Sequence, residues 1–421
     1  MAKVNDEVIV NIHAAMDPQL SMADEVLVDI AVKIQLSPTL HDKAVQHYEA
    51  VMRHLERPES PIAENIAAYY PQGSMAAGTT IRSKDQDDLF DIDLLIELSD
   101  MPFGITPLET LALLYTAIKG PPGSRYHDFE VVQQTRCVTV YYEDMHLDVT
   151  PIYRTPALPE RSGQICHGKA TEPTNQHLVG ANPWGFAEWF KAQTPAEPWF
   201  GRVMLRKSLT EAGLLAEAAE EVTPVPAHQK VYQKSLSVVG LQLFKRWLER
   251  NHAKKPGGRR PPSVLISRLI GDVAGQTASL IDELLHQATH VSTLLSNASA
   301  MAQKVDVRNP RFDLDILSDR WPNDIASQDE FRADLGGYIA QLRIAKHTDD
   351  IDTLRKIFAD LFGERATQAA LKDYFSRAGQ HTRSGLSVVT SGTGISYAGS
   401  AFARAPETKS VPSPIHRNFG D

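Results

Sequence analysis

Gln72-Gly73-Ser74-Met75-Ala76-Ala77-Gly78-Thr79-Thr80 and, after a short polar loop, Phe90-Asp91-Ile92-Asp93-Leu94-Leu95-Ile96-Glu97-Leu98 are the stretches on which the reading turns. The second alternates at first and then runs apolar, the pattern of a largely buried strand. Asp91 and Asp93 stand two apart, so on a strand both carboxylates leave the same face. Two such groups can bind hard cations about 3.5–4 Å apart, the arrangement used for in-line phosphoryl displacement. In the first stretch, Gly73 lets the backbone approach a phosphate, and Ser74 adds a hydroxyl where a helix start favours an anion.

A third carboxylate is available in His146-Leu147-Asp148-Val149-Thr150, where Asp148 is flanked by apolar residues. A buried aspartate without a partner is costly, and a metal ion is a suitable partner. Singly, each aspartate could instead pair with an arginine or cap a turn. Together with the upstream Gly-Ser they read as a metal and phosphate site. Asp85, Asp87 and Asp88, in the loop between, read as solvated.

The rest of the chain limits the alternatives. Its 421 residues exceed one small core and fit two lobes, and 42% hydrophobic with 23% charged residues is a globular profile. A formal charge of −9 argues against nucleic-acid binding by bulk electrostatics. Cys137 and Cys166 are too few for a disulfide framework or a structural zinc site. Residues 1–11 lack a secretory signal pattern, and no run approaches the ~20 apolar residues of a membrane span. The expectation is a cytoplasmic protein with no membrane contact.

Periodicity and cap residues predict helices over 21–35 and 38–55, then a short helix or strand lead at 62–69. A strand over 90–98 and a helix over 107–118 follow, then strands over 129–132, 137–142 and 146–152, the last two joined by a turn at Glu143-Asp144. Helices are expected over 183–190 and 231–249, from Pro262 onward, over 324–345 and over 350–375. Beyond about Arg377 the chain turns Gly/Ser/Thr-rich and reads as a disordered or loosely docked tail.

Gln72-Gly73-Ser74 with Gly78-Thr79, then Asp91-Ile92-Asp93, then Asp148-Val149-Thr150-Pro151 resembles the polymerase-β-like nucleotidyltransferases. Within them the chain is similar to the bacterial relatives of animal cyclic GMP-AMP synthase, the oligonucleotide cyclases of anti-phage signalling. His167-Gly168-Lys169, Asn182-Pro183-Trp184-Gly185-Phe186 and Trp189-Phe190 resemble that family's link between lobes. Leu241 to Trp247 resembles its long helix bearing a phosphate-contacting lysine, and Pro262-Ser263-Val264-Leu265-Ile266 its next helix start. Asn309-Pro310 and Asp319-Arg320-Trp321-Pro322 resemble its late elements, so the likeness covers roughly residues 25 to 375.

The resemblance implies that Asp91, Asp93 and Asp148 hold Mg²⁺, with Mn²⁺ as a substitute, and that Asp148 helps deprotonate a ribose hydroxyl. It implies that Gly73 and Ser74 cradle the β/γ-phosphates, supported by Gln72, and that Lys245 and Ser263 reach the triphosphate from the second lobe. For Lys245 a solvated lysine on a helix's polar face stays open, and for Ser263 a simple cap. Tyr70, Trp184 and Trp247 could stack a base, although core packing suits each. The basic stretch from His252 to Pro261 reads as a solvated connection or a phosphate contact. The zinc-bearing DNA-sensing insertion of the animal enzyme has no counterpart, because its cysteines are absent.

The expected fold class is α+β, a mixed or antiparallel sheet with helices in a nucleotidyltransferase core, plus a helical second lobe across a central cleft. The expected division is N-terminal helices packing on both lobes (1–60), catalytic core (61–180), helical lobe (181–376) and tail (377–421). The expected activity joins ATP and/or GTP into a cyclic di- or trinucleotide. Transfer of a nucleotide to a protein or small molecule, or a silent nucleotide- or RNA-binding scaffold, remain alternatives. An operon-encoded protein could bind or modify the terminal Phe419-Gly420-Asp421.

Overall fold

A computed structural model describes residues 20–82, 90–99, 104–155, 158–211, 229, 233–255, 258–383, 387–390, 394–397 and 411–412. Asp85, Asp87, Asp88 and residues 413–421 lie outside the described residues.

Ser21 and Ser37 cap the first two helices, α1 (Met22–Lys33) and α2 (Pro38–Leu55), each side-chain oxygen accepting a backbone N–H that the helix itself leaves free. A single 3₁₀ turn (Ala63–Asn65) leads into β1 (Ile66–Gln72), resolving the 62–69 segment as a strand with a helical lead. The short helix α3 (Gly73–Ala76) follows at once. Then come β2 (Phe90–Leu98), α4 (Pro107–Lys119), β3 (Val131–Gln133), β4 (Val138–Tyr141) and β5 (Met145–Arg154). The hairpin β6 (Gly163–Lys169) and β7 (Glu172–Ala181) completes a seven-stranded sheet.

The sheet is mixed. Its order is β1-β2-β5-β4-β3, with β2 parallel to β5 and the other pairs antiparallel, so the fold is α+β. Ten-residue β5 pairs with β4 as far as Val149 and with β6 from Ile152. Alternation sorts its faces: Phe90, Ile92, Met145 and Leu147 enter the core while Asp91, Asp93, His146 and Asp148 take the other face.

The helical part comprises α5 (Pro183–Gln193), α6 (Pro198–Glu211), α7 (Leu236–Ala253), α8 (Ser263–Gly271), α9 (Leu280–Ala300), α10 (Ile325–His347), α11 (Ile351–Phe362) and α12 (Glu364–Arg383), with a small hairpin β8 (Arg308–Asn309) and β9 (Phe312–Ile316). Helix α7 starts at Leu236 instead of 231, because the Ser235 hydroxyl accepts the Val238 N–H, and it continues past Glu249 to Ala253. One helix expected over 350–375 is two, divided at Gly363, whose φ of +108° no helix accommodates. The tail is not wholly coil: α12 reaches Arg383, and β10 (Ser387–Thr390) pairs with β11 (Gly394–Tyr397) and β12 (Val411–Pro412).

Two large hydrophobic cores form among the described residues, with a small third cluster around Tyr70, Leu95, Ile152 and Ala181. One unites α2 with the sheet, through Tyr48, Val51, Phe90, Ile92, Leu114 and Leu147. The other unites α1 with the later helices, through Leu27, Ile30, Phe244, Leu284, Leu335 and Phe358. The loop after α3 joins this second core through Ala77 and Ile81. The Gly-Ser turn is thereby fixed against both cores at once.

Candidate active site

Strand register assembles the site. Gln72 pairs with Asp93, Asp93 with Asp148, and Asp148 with Thr139, so four side chains from β1, β2, β5 and β4 form one row across the sheet. Asp91 lies next to this row, opposite His146. The Thr139 hydroxyl donates to Asp148 Oδ1 at 2.5 Å, and Gln72 Nε2 donates to Thr150 Oγ1 at 3.0 Å. Gln72 thereby ties β1 to β5 beside the row.

Burial, then the charges of Asp148 and Asp91, raise the Asp93 carboxyl to about 7, against the opposing charge of Lys245. Burial also raises Asp148, which Thr139 draws back by its hydrogen bond. Asp91 faces outward, its Oδ1 3.3 Å from His146 Nδ1. As the side chains stand, no three His, Cys, Asp or Glu residues among the described residues are gathered closely enough to hold one ion.

Gly73 has φ +61°, and a Cβ there would overlap Asp93 Oδ2, so the turn and the carboxylate need each other's space. The Ser74 carbonyl accepts from Thr79 N at 2.8 Å, and its hydroxyl accepts from Thr80 Oγ1 at 3.2 Å. These bonds close a compact loop over residues 73–80.

Lys245 comes from α7 and is not a solvated lysine. It is 6% exposed, and Nζ donates to the Thr79 carbonyl at 3.0 Å. Burial lowers it to about 8, with Glu249 and Asp93 opposing. Beside it, Gln242 Nε2 donates to the Thr80 carbonyl at 2.8 Å, Gln35 Nε2 to Gln242 Oε1 at 2.9 Å, and Lys234 Nζ to Gln35 Oε1 at 2.7 Å. This chain of buried bonds ties α1 and α7 to the loop over residues 73–80. Leaving one member unpaired would cost about 1–3 kcal/mol.

A cavity of about 380 Å³ opens over the row. Gln72, Gly73, Ser74, Asp91, Asp93, Asp148, Lys245 and Ser263 all line it. Ser263 is the first residue of α8, and Pro262 holds the cap position, so the simple-cap reading does not apply. The three aromatics are elsewhere. Tyr70 and Trp184 flank the Arg161 guanidinium, at 5.2 and 5.0 Å, and Trp247 stacks on Tyr338 at 4.4 Å.

The basic stretch divides. Lys254 pairs with Asp360 and Lys255 with Asp334, each at 2.7 Å, and Arg259 donates to the Arg320 carbonyl. Arg260 instead lines the cavity, its Nη1 3.8 Å from Glu249 Oε1. Glu249, Thr139 and Asp315 were not singled out by sequence reasoning, and Arg260 only as one member of the basic stretch. For Asp315 the available signal was the nearby Asn309-Pro310. The two Asn-Pro elements meet: Asn309 Nδ2 donates to the Asn182 carbonyl at 2.9 Å and to Asp315 Oδ2 at 2.8 Å.

Lys245→Met tests the lysine's part. A charge-assisted bond to phosphate is worth about 1.5–3 kcal/mol, so triphosphate affinity is expected to fall roughly 10- to 150-fold. Calorimetric titration with a non-hydrolysable nucleotide reads it, and unchanged affinity would remove Lys245 from the phosphate site.

Paired aspartates on parallel strands, beneath a Gly-Ser turn and faced by a buried lysine from a helical lobe, form a nucleotidyltransferase of the polymerase-β type. Residues 23–193 match the family described as Second Messenger Oligonucleotide or Dinucleotide Synthetase domain. The cyclic dinucleotide synthase CdnG of Bradyrhizobium diazoefficiens is 35% identical over 416 residues, 96% of each chain. The solved structure of that organism's CD-NTase CdnG in complex with GTP superposes with TM-score 0.72 at 34% identity, covering 84% of this chain and 99% of that one. The E. coli MS115-1 CdnC structure with ATP shares the fold alone, at 15% identity and TM-score 0.50 over 85% and 98% of the two chains. The chain belongs to the cyclic dinucleotide synthase family, the CD-NTases. No described helix is long and apolar enough to cross a membrane.

Proposed function

We propose that this protein joins GTP and/or ATP into a cyclic di- or trinucleotide in the cytoplasm, as a signal in anti-phage defence, with Mg²⁺ at its aspartates. The observation that carries the chemistry is the adjacency of Asp93, Asp148 and Gly73 in one cavity that Lys245 also lines. The relative CdnG is a cyclic dinucleotide synthase with a solved structure in complex with GTP, which supports nucleotide substrates.

The acidic groups fit a divalent cation. Their donors are all carboxylate oxygens, the ligands hard cations take. Asp93 and Asp148 are pushed up by burial, and Asp91 raises both further, a penalty that a cation would remove. Asp91, turning from His146, would complete the set with Asp93 and Asp148. Such an ion would make a ribose hydroxyl more acidic and neutralise charge at the α-phosphate.

In each transfer a ribose hydroxyl oxygen of one nucleotide bonds to the α-phosphorus of another, and the bond from that phosphorus to the β-phosphate oxygen breaks. Pyrophosphate leaves, and the hydroxyl proton passes to Asp148, which Thr139 holds toward the cleft. The Gly73 and Ser74 backbone and the Ser74 hydroxyl orient the donor phosphates. Lys245, exchanging the Thr79 carbonyl for a phosphate oxygen, stabilises their charge, with Arg260 and Ser263 on the same wall. A second transfer in the same cleft closes the ring.

The test is incubation with all four ribonucleoside triphosphates and Mg²⁺ or Mn²⁺, with phosphatase-resistant products identified by mass. A cyclic product without added acceptor is expected. Nucleotide consumption only when a protein or small-molecule acceptor is added would replace this reading with nucleotide transfer. No consumption under any condition would leave a binding scaffold.

A further inference from the structure

On the wall lined by β7 and β9, the cavity holds one carboxylate with no part in the chemistry above. Asp315, on β9, is partly buried, yet it lines the cleft. Two donors fix it on one side: Asn182 N at 2.9 Å and Asn309 Nδ2 at 2.8 Å, both to Oδ2. Among the described residues Oδ1 accepts no hydrogen bond. The same cavity has apolar lining, from Ile165, Ala181, Phe186, Val264 and Leu317. A slot of apolar side chains with one fixed polar group is how proteins orient a flat ligand.

We propose that Asp315 reads the base of a bound nucleotide and selects guanine. Guanine is the base whose pairing edge places two N–H donors side by side, at N1 and the 2-amino group, and a carboxylate offers acceptors only. Adenine sets its N1 lone pair beside its amino group, and cytosine sets its N3 lone pair there. Uracil flanks its one N–H with two carbonyls. Each of these would bring a lone pair against the carboxylate. Burial raises the Asp315 carboxyl above its ordinary range, with the two asparagine donors opposing, so further donors would be taken up favourably.

The two asparagines also determine what an amide would do at this position. In Asp315→Asn, both keep donating to the amide oxygen, so the amide nitrogen must take the place of Oδ1, the oxygen left to a ligand. An acceptor becomes a donor without change of shape. Guanine then meets N–H against N–H, while adenine N1 gains a partner. Sites built to hydrogen-bond a substrate reject the mismatched one strongly.

This inference rests on the nucleotide-joining function proposed above, and binding separates the two. The experiment measures affinities of the α,β-methylene analogues of GTP and ATP, and of inosine triphosphate, for wild type and Asp315→Asn, alongside product base composition from mixed triphosphates. The expected wild-type result is GTP analogue over ATP analogue by at least about tenfold. Inosine triphosphate, which lacks the 2-amino group, should bind about 10-fold or more weakly than GTP, for the loss of one bond to a charged acceptor. In Asp315→Asn the GTP-to-ATP ratio should fall by on the order of 100-fold, with thermal midpoint retained. A ratio unmoved in the variant, or a wild type indifferent to guanine while it still consumes nucleotides, would overturn the role of Asp315 and leave the proposed function standing. Absence of any nucleotide binding would overturn both.

Discussion

Product formation is expected to disappear, by at least about a thousandfold, when Asp91 and Asp93 are both replaced by asparagine, and the protein is expected to stay folded. A thousandfold corresponds to about 4 kcal/mol of transition-state stabilisation, a modest demand for two of three groups that would hold the metal. The fold does not depend on these charges. Asp93 stands at about 7 instead of 3.8 because burial and its acidic neighbours disfavour the ionised form. A carboxyl raised on folding binds more protons folded than unfolded, so the stability this group contributes is fully present below about 4 and is lost as pH rises through about 7. Asparagine removes that loss. In metal-free buffer at pH 8 the double variant should therefore melt no lower than wild type, and its melting temperature should vary less between pH 4 and pH 8. Product assays and melting curves across pH check the two halves. Normal turnover would refute the metal assignment, and collapse of the fold would refute the argument from repulsion.

The legible parts of this site were those set by short-range geometry. Alternation over Phe90–Leu98 put Asp91 and Asp93 on one face, and the apolar flanks of Asp148 called for a second strand beside it. Their partnership is a register, Asp93 beside Asp148, which the pattern of two buried strands restricts but does not specify. Lys245 was reached only through resemblance. Its spacing also suited a solvated face, and what buries it is the loop at Thr79 and Thr80, distant in sequence. Glu172–Ala181 was missed as a strand because most of its residues are exposed and polar on both faces, so no alternation marks it. Leu280–Ala300 was missed despite a Ser279 cap and Leu284, Ala288, Val291 and Leu295 at helical spacing, a signal present and not used. Asp315 was marked only by the nearby Asn309-Pro310, because its environment is made by Asn182 and Asn309 from separate segments.

Gly73→Ala is the sharpest test of how close the Gly-Ser turn stands to the carboxylates. The added methyl meets two obstacles. At φ +61° an alanine is strained by roughly 1–2 kcal/mol, and its Cβ falls on Asp93 Oδ2. The carboxylate cannot retreat freely, since its strand is paired on both sides, with β1 and with β5. Either the turn opens and its N–H groups leave the phosphate, or Asp93 shifts relative to Asp148. A displacement near 1 Å in a reacting constellation costs about 100-fold, so turnover should fall roughly 100- to 1,000-fold. Gly363→Ala is the control. It too meets a positive φ, +108°, but the cavity does not include it, and it should lose stability without losing turnover per folded molecule. Initial rates measured below both melting temperatures distinguish the two. If Gly73→Ala turned over like the control, the contact between the turn and Asp93 would have no part in catalysis.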